Sequence, residues 1–241
     1  ENKKPKELTH EESERLHKAI QMVKLVAPPT NCLSPMGENI IEEGLKKEVE
    51  AEYFVAVSRP PAVYRGNPFQ IEVGLAYGGK LQPDQTAQFF RFANRVPLLY
   101  HQSDCATTEA VIDTDWKRYE FQQSGGQLPQ GPLVILIHFA SVWVPYTSEG
   151  KQAIADYPEI IKEIKLALQE AGRRLAIYVR QRNKRRDAQL RRELFEKYIP
   201  ELAESLEKLT ATKKQKIIDD LDKIAKKGVK DDKETGSGEK S

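Results

Sequence analysis

The chain has 241 residues, 38 Lys/Arg against 36 Asp/Glu, a net charge of +2 and 39% hydrophobic residues. That is enough apolar material for a core in one or two domains, and near-neutrality excludes a polycation. No apolar run reaches the length of a membrane span, and two distant cysteines, Cys32 and Cys105, exclude a disulfide scaffold and make an intracellular compartment the default.

The chain opens Glu1-Asn2-Lys3-Lys4 with neither an initiator Met nor a signal-peptide apolar region, so it reads as an excised piece with domains upstream. Residues 8–26 pattern as a helix with Leu16, Ile20, Val23 and Ala27 on one face, opened by a Thr9/Glu12 capping box and stopped by Pro28-Pro29. A second helix, introduced by Ser34-Pro35, is expected from Gly37 to Lys47, and the two make a helical hairpin. From Glu50 the period changes to two. Tyr53, Val55 and Val57 alternate, as do Phe69, Ile71, Val73, Leu75 and Tyr77 against Gln70, Glu72 and Gly74. Phe89 to Tyr100 is a third strand, with Pro97 demoting its end to an edge or bulge. Asp104 is expected to cap a short helix ending near Ile112, and residues 117–131 to form a loop.

Pro132 to Ala140 is apolar on both faces, the pattern of a central strand. From Ser148 to about Phe195 the chain reads mostly as helix, with Ile161, Ile164, Leu168, Ala171, Leu175 and Tyr178 in one stripe. Counted from Pro158 that helix is close to 40 residues long, or roughly 60 Å, and it overhangs any domain of this size. Pro200 is expected to break it. Two weaker amphipathic pieces follow, Leu202/Leu206/Leu209 and Ile217/Leu221/Ile224, and the charged stretch from Lys226 to Ser241 is expected to be disordered. The order predicts an α+β fold: a mostly antiparallel sheet with helices on one face, preceded by a helical hairpin and followed by a long protruding helix.

No nucleophile elbow, P-loop or metalloprotease motif occurs, and the four histidines show no metal spacing, so no catalytic and no metal-binding residues are assigned. His138, on the buried strand, reads as a satisfied core histidine. Lys117, between Trp116 and Tyr119, is either a solvated loop lysine or a point charge suited to a phosphate. From Arg173 to Arg192 nine Lys/Arg meet one acid, Asp187. Arg173, Arg174, Arg180, Arg182, Lys184, Arg185 and Arg186 make either a solvated helix face or a surface for nucleic acid or an acidic partner. No base-reading signature accompanies them, so any DNA contact would be sequence-independent.

Six blocks carry a family resemblance: A-P-P-T-N-C-L-S-P-M-G-E, V-S-R-P-P-A-V-Y-R-G-N-P-F-Q-I-E-V-G-L-A-Y-G-G, R-F-A-N-R-V-P-L-L-Y, D-W-K-R-Y, G-P-L-V-I-L-I-H-F-A-S and S-E-G-K-Q-A-I-A-D. In content and order they resemble the B subunit of DNA topoisomerase VI over about Pro28 to Arg186. The resemblance implies the end of a helix–two-turns–helix domain over 1–47, a transducer domain of the gyrase/MutL type with a long basic stalk helix over 48–196, and a helical tail over 197–241.

It also implies a role. The B subunit would dimerise with a second copy of itself on binding ATP with Mg in an N-terminal domain missing from this chain. The A subunit would cut duplex DNA, and the transducer would couple the two. Lys117 would reach the ATP γ-phosphate, supported by Trp116 and Tyr119, and the arginine stalk would meet DNA. The fragment alone would be inactive. A non-enzymatic, B-like module that positions a recombination nuclease is the alternative. One departure stands out: the family shows S-T-N or S-T-K and then an aliphatic-Pro-Phe after the buried strand, where this chain has Ser141-Val142-Trp143-Val144-Pro145-Tyr146.

Overall fold

The computed structural model describes residues 4–23, 28–210 and 213–223. The described residues fall into two compact units. One takes those up to Trp116 together with Gln122–Gly172, and the other takes Lys117–Phe121 together with those from Arg173 on.

The first unit is built on a six-stranded sheet: β1 (Tyr53–Ser58), β2 (Ala62–Tyr64), β3 (Asn67–Tyr77), β4 (Gln88–Ala93), β5 (Val96–Pro97) and β6 (Leu133–Ser141). The strand order is β1-β3-β6-β4-β5, with β2 also paired to β3. All pairings are antiparallel except β4 with β6. This is the α+β architecture expected, and β6 lies in the middle, as its two apolar faces require. The third strand is shorter than expected. Asn94 and Arg95, both left-handed (φ 46° and 68°), turn the chain after β4 into the two-residue β5. Three-residue β2 is too short to leave a periodic signal.

Two helices precede the sheet, α1 (His10–Met22) and α2 (Glu38–Glu48). The Thr9/Glu12 capping box opens α1, and no residue of α1 is buried. Val23 caps it, and Ala27, placed on its apolar face, lies outside the described residues. α2 packs Ile41 and Leu45 onto the sheet with Ala56, Ala76 and Val134. The approach is close: a Cβ at Gly74 would lie 2.6 Å from Ile41 Cγ2 and 2.8 Å from Leu45 Cδ1. α2 also guards the edge strand, since Glu38 accepts from the N–H of Ser58 (2.9 Å) and Glu42 from that of Ala56 (3.3 Å). The opposite face carries Val73, Leu75, Ile135 and Ile137, all fully buried.

α3 (Ala106–Ile112) is shorter than its predicted cap implies. Cys105, not Asp104, is the N-cap residue, and it makes no side-chain cap bond. Asp104 instead accepts from its neighbour Ser103. The long helix α4 starts at Pro158 rather than Ser148. Residues 148–157 are irregular apart from a bridge between Tyr146 and Ile154. In the first unit Ile160, Ile164, Ala167, Leu168 and Ala171 of α4 are buried. Arg59, just after β1, bonds Glu163 of α4 through Nη2 at 3.3 Å.

In the second unit α4 continues to Thr210, so Pro200 does not break it. Proline inside a helix removes one N–H and costs about 3 kcal/mol. Here Ile199 and Ala203, on either side of the ring, are both buried, and that burial offsets part of the cost. Of the expected leucine stripe, Leu206 is half-buried while Leu202 and Leu209 are exposed. A further helix covers 214–223, with Ile217 and Leu221 half-buried. Ile224 and the stretch from Lys226 expected to be disordered lie outside the described residues.

Candidate phosphate and nucleic-acid sites

The sequence around Lys117 alternates buried positions with exposed ones. Before it, in the first unit, Asp113 caps α3 and pairs with Lys165 of α4 at 2.8 Å. The indole of Trp116 is fully buried and its Nε1–H donates to the carbonyl of Val111 at 2.8 Å. A single 3-10 turn spans Trp116–Tyr119, and the N–H of Glu120 closes back on the Lys117 carbonyl at 3.2 Å. In the second unit Tyr119 and Phe121 are buried, whereas Lys117 and Arg118 are exposed. No hydrogen bond or ion pair engages the Lys117 side chain among the described residues. A cation held on an anchored turn with its ammonium in water is ready for an anion.

Glu120 is one of six non-glycine residues with positive φ among the described residues, at 72°. Its carboxylate accepts from Nε of Arg180 at 3.0 Å, and Nη2 of the same guanidinium donates to the Arg118 carbonyl at 3.2 Å. Sequence reasoning missed Glu120, because only the fold brings it to a helix sixty residues further on. It also grouped Arg180 with the stalk cations; Arg180 lies on the helix as expected, but its guanidinium is engaged with the turn.

Arg173, Arg180, Lys184 and Arg191 follow one another at helical spacings of 7, 4 and 7, so they line one face of α4, while Leu175 and Val179 on another face are buried. Arg173, Lys184 and Arg185 are exposed and engage no partner among the described residues. Arg186 approaches Asp187 only at 3.9 Å. Arg174 and Arg182 have interactions of their own. With a single acid in the stretch, the face keeps an excess of positive charge.

His138 is fully buried and satisfied, as read. Its Nε2 accepts from the N–H of Arg95 at 3.0 Å, which assigns the proton to Nδ1, and Nδ1–H donates to Glu72 at 2.7 Å. Glu72, read as part of the polar face of β3, is itself fully buried. It takes further bonds from the N–H groups of Met36 (2.7 Å) and Gly37 (2.8 Å) at the start of α2, and from Ser58 Oγ (3.0 Å). Burial pushes its carboxyl up, but the bonds from His138, Met36 and Gly37 win and hold it below the usual carboxylate range. No group of three or more His, Cys, Asp or Glu side chains is placed to hold a metal among the described residues. None of the described helices is long and apolar enough to cross a membrane.

The fold and these sites define a transducer-type α+β module, a sheet joined to a basic helix that shares its unit with a lysine turn. Residues 28–191 match the family model described as topoisomerase VI B subunit, transducer. The B subunit of type 2 DNA topoisomerase 6 from Methanococcoides burtonii is 47% identical over 205 residues, covering 84% of this chain and 32% of that protein. The protein of the same name from Pyrococcus furiosus is 46% identical over 216 residues, covering 89% of this chain and 37% of that protein. The gyrase B subunit of Myxococcus xanthus aligns over 48% of this chain and 32% of its own, at a TM-score of 0.33 and 16% identity. The chain belongs to the topoisomerase VI B subunit transducer family, and it spans about a third of the length of the curated relatives it matches.

Proposed function

We propose that the chain is the coupling part of the B subunit of an ATP-dependent type II DNA topoisomerase. In this reading residues 1–47 end a helix–two-turns–helix domain, 48–196 form the transducer with its stalk, and 197–241 are a helical tail. The whole subunit works inside the cell with a second copy of itself, with duplex DNA and with a DNA-cleaving A subunit. The observation that carries the reading is Lys117, an exposed cation on an anchored turn in a chain of this family.

ATP, when bound with Mg, supplies the γ-phosphate charge and the free energy of hydrolysis. The residues present fit the phosphate end of that group: Lys117 offers a point charge. In this reading Mg is held mainly by the nucleotide-binding domain of the whole subunit, together with the phosphates. Buried Trp116 and Tyr119 fix the turn so that the lysine is held in position rather than found by chance. Arg173, Arg174, Arg182, Lys184, Arg185 and Arg186 give α4 a sequence-independent hold on the phosphate backbone. In this reading the cleavage chemistry belongs to the A subunit, and the chain alone is inactive. The alternative, an assembly module with no nucleotide coupling, has no observation in its favour.

The test is Lys117→Ala in the full-length B subunit, in complex with its DNA-cleaving partner. ATP should still bind, while strand passage should fall by roughly 10²–10³, the loss typical of one preorganised charge contact. Unchanged relaxation of supercoiled DNA by that variant would remove the role given to Lys117.

A further inference from the structure

Lys117–Phe121 are five residues whose chain neighbours on both sides belong to the first unit, yet they form part of the second. Tyr119 and Phe121 bury their rings, and one guanidinium, that of Arg180, bonds both the Glu120 carboxylate and the Arg118 carbonyl. A planar fork that reaches a side chain and a backbone oxygen two residues apart fixes the turn in orientation as well as in place. Glu120 meets that fork from a left-handed backbone, a conformation that non-glycine residues adopt only where their surroundings hold them, and often at switch segments.

From this geometry we infer that Arg180 is a positioning residue: it latches the Lys117 turn to α4 and passes displacement of that turn to the helix. Its charge is spent on the turn rather than on DNA. The Arg180 and Glu120 side chains are 62% and 41% exposed, so the pair adds little to fold stability. Its loss therefore uncouples the helix from the turn without unfolding either. The inference rests on the coupling function proposed above.

The experiment compares Arg180→Ala, Glu120→Ala and the exchanged pair Glu120→Arg with Arg180→Glu, each in the full-length B subunit in complex with its DNA-cleaving partner. ATP turnover, the KM for ATP, ATP consumed per strand passage and DNA affinity are measured for each. Both single variants should raise ATP consumed per passage by about 5- to 10-fold, the range in which coupling positions act. The exchanged pair restores the ion pair but not the bond to the Arg118 carbonyl, so it should return to within about threefold of the parent.

A DNA contact behaves differently. Removing the Glu120 charge would then leave coupling intact or tighten DNA binding, and the exchanged pair would be as defective as Arg180→Ala. Either result overturns the latch. A parent complex whose relaxation does not depend on ATP would instead overturn the coupling function itself, whereas a coupled parent with coupled single variants overturns the latch alone.

Discussion

In the first unit a glutamate and a histidine lie fully buried, and each ring nitrogen and carboxylate oxygen of the pair has a partner. In the second, Arg173, Lys184 and Arg185 stand in water with no partner among the described residues. Charge serves opposite ends in the two. Buried, it specifies structure, because a carboxylate removed from water must be bonded on every side. Glu72 thereby joins the start of α2, β1, β3 and β6 at one point, and His138 extends the join to the turn after β4. Exposed, charge specifies little structure but keeps its capacity to meet another molecule. Lys117 is of the second kind, an exposed charge between two buried aromatic residues, Trp116 and Tyr119.

The comparison breaks most directly at Glu72. Glu72→Ala strands the N–H groups of Met36 and Gly37 and the Nδ1–H of His138 in the core, at about 1–3 kcal/mol for each unsatisfied group, so denaturant unfolding of the first unit should lose about 3–5 kcal/mol. The same carboxylate predicts a pH response. Its folded pKa is depressed, so the unfolded chain binds the proton more readily. The stability it contributes is complete above the ordinary carboxylate value of about 4.3 and is lost as pH falls through the lower folded value. Glu72→Gln should flatten that part of the acid unfolding curve. An acid limb identical to the parent's would show that other carboxylates set it.

A smaller effect is expected at Gly74, where α2 meets the sheet. Replacing it by Ala puts a methyl 2.6 Å from Ile41 Cγ2 and 2.8 Å from Leu45 Cδ1, terminal methyls of side chains that are both buried in the core. Overpacking of this kind costs about 1–3 kcal/mol. Thermal unfolding would report it, and the loss should be smaller in an Ile41→Ala background, which lacks the Cγ2 methyl.

The two units were also unequally legible in the sequence. Strands β1, β3 and β6 announced themselves through alternation or continuous apolarity, and the stripe of α4 through its spacing, because each is a local pattern imposed by burial. Glu72 was misjudged for the complementary reason. Period two placed it with Gln70 and Gly74 on a polar face, and only the packing of α2 turns that face inward. The one available signal was a histidine in the apolar run of β6, which pairs with Glu72 in register. Pro200 obeyed its neighbours rather than its own propensity, since Ile199 and Ala203 are buried beside it. Lys117 was visible as a lysine between two aromatics, while its tie to α4 was not, because Glu120 and Arg180 meet only in three dimensions.

The exposed half of the comparison is sharpened by salt. If Lys184 and Arg185 meet phosphates, each neutralised phosphate releases condensed counterions and contributes about 0.9 to the slope of log affinity against log salt. The double variant Lys184→Ala with Arg185→Ala should therefore lower that slope by about 2, weakening duplex DNA binding alike for unrelated sequences. Folding should be almost untouched, because neither side chain is buried and surface substitutions of this kind stay within about 0.5 kcal/mol. A changed unfolding midpoint with an unchanged slope would reverse the assignment, making these cations part of the second unit's structure and leaving its DNA contact to be sought elsewhere. An unchanged midpoint with a reduced slope would set them apart from Arg180 on the same helix, whose charge is already committed to the Lys117 turn.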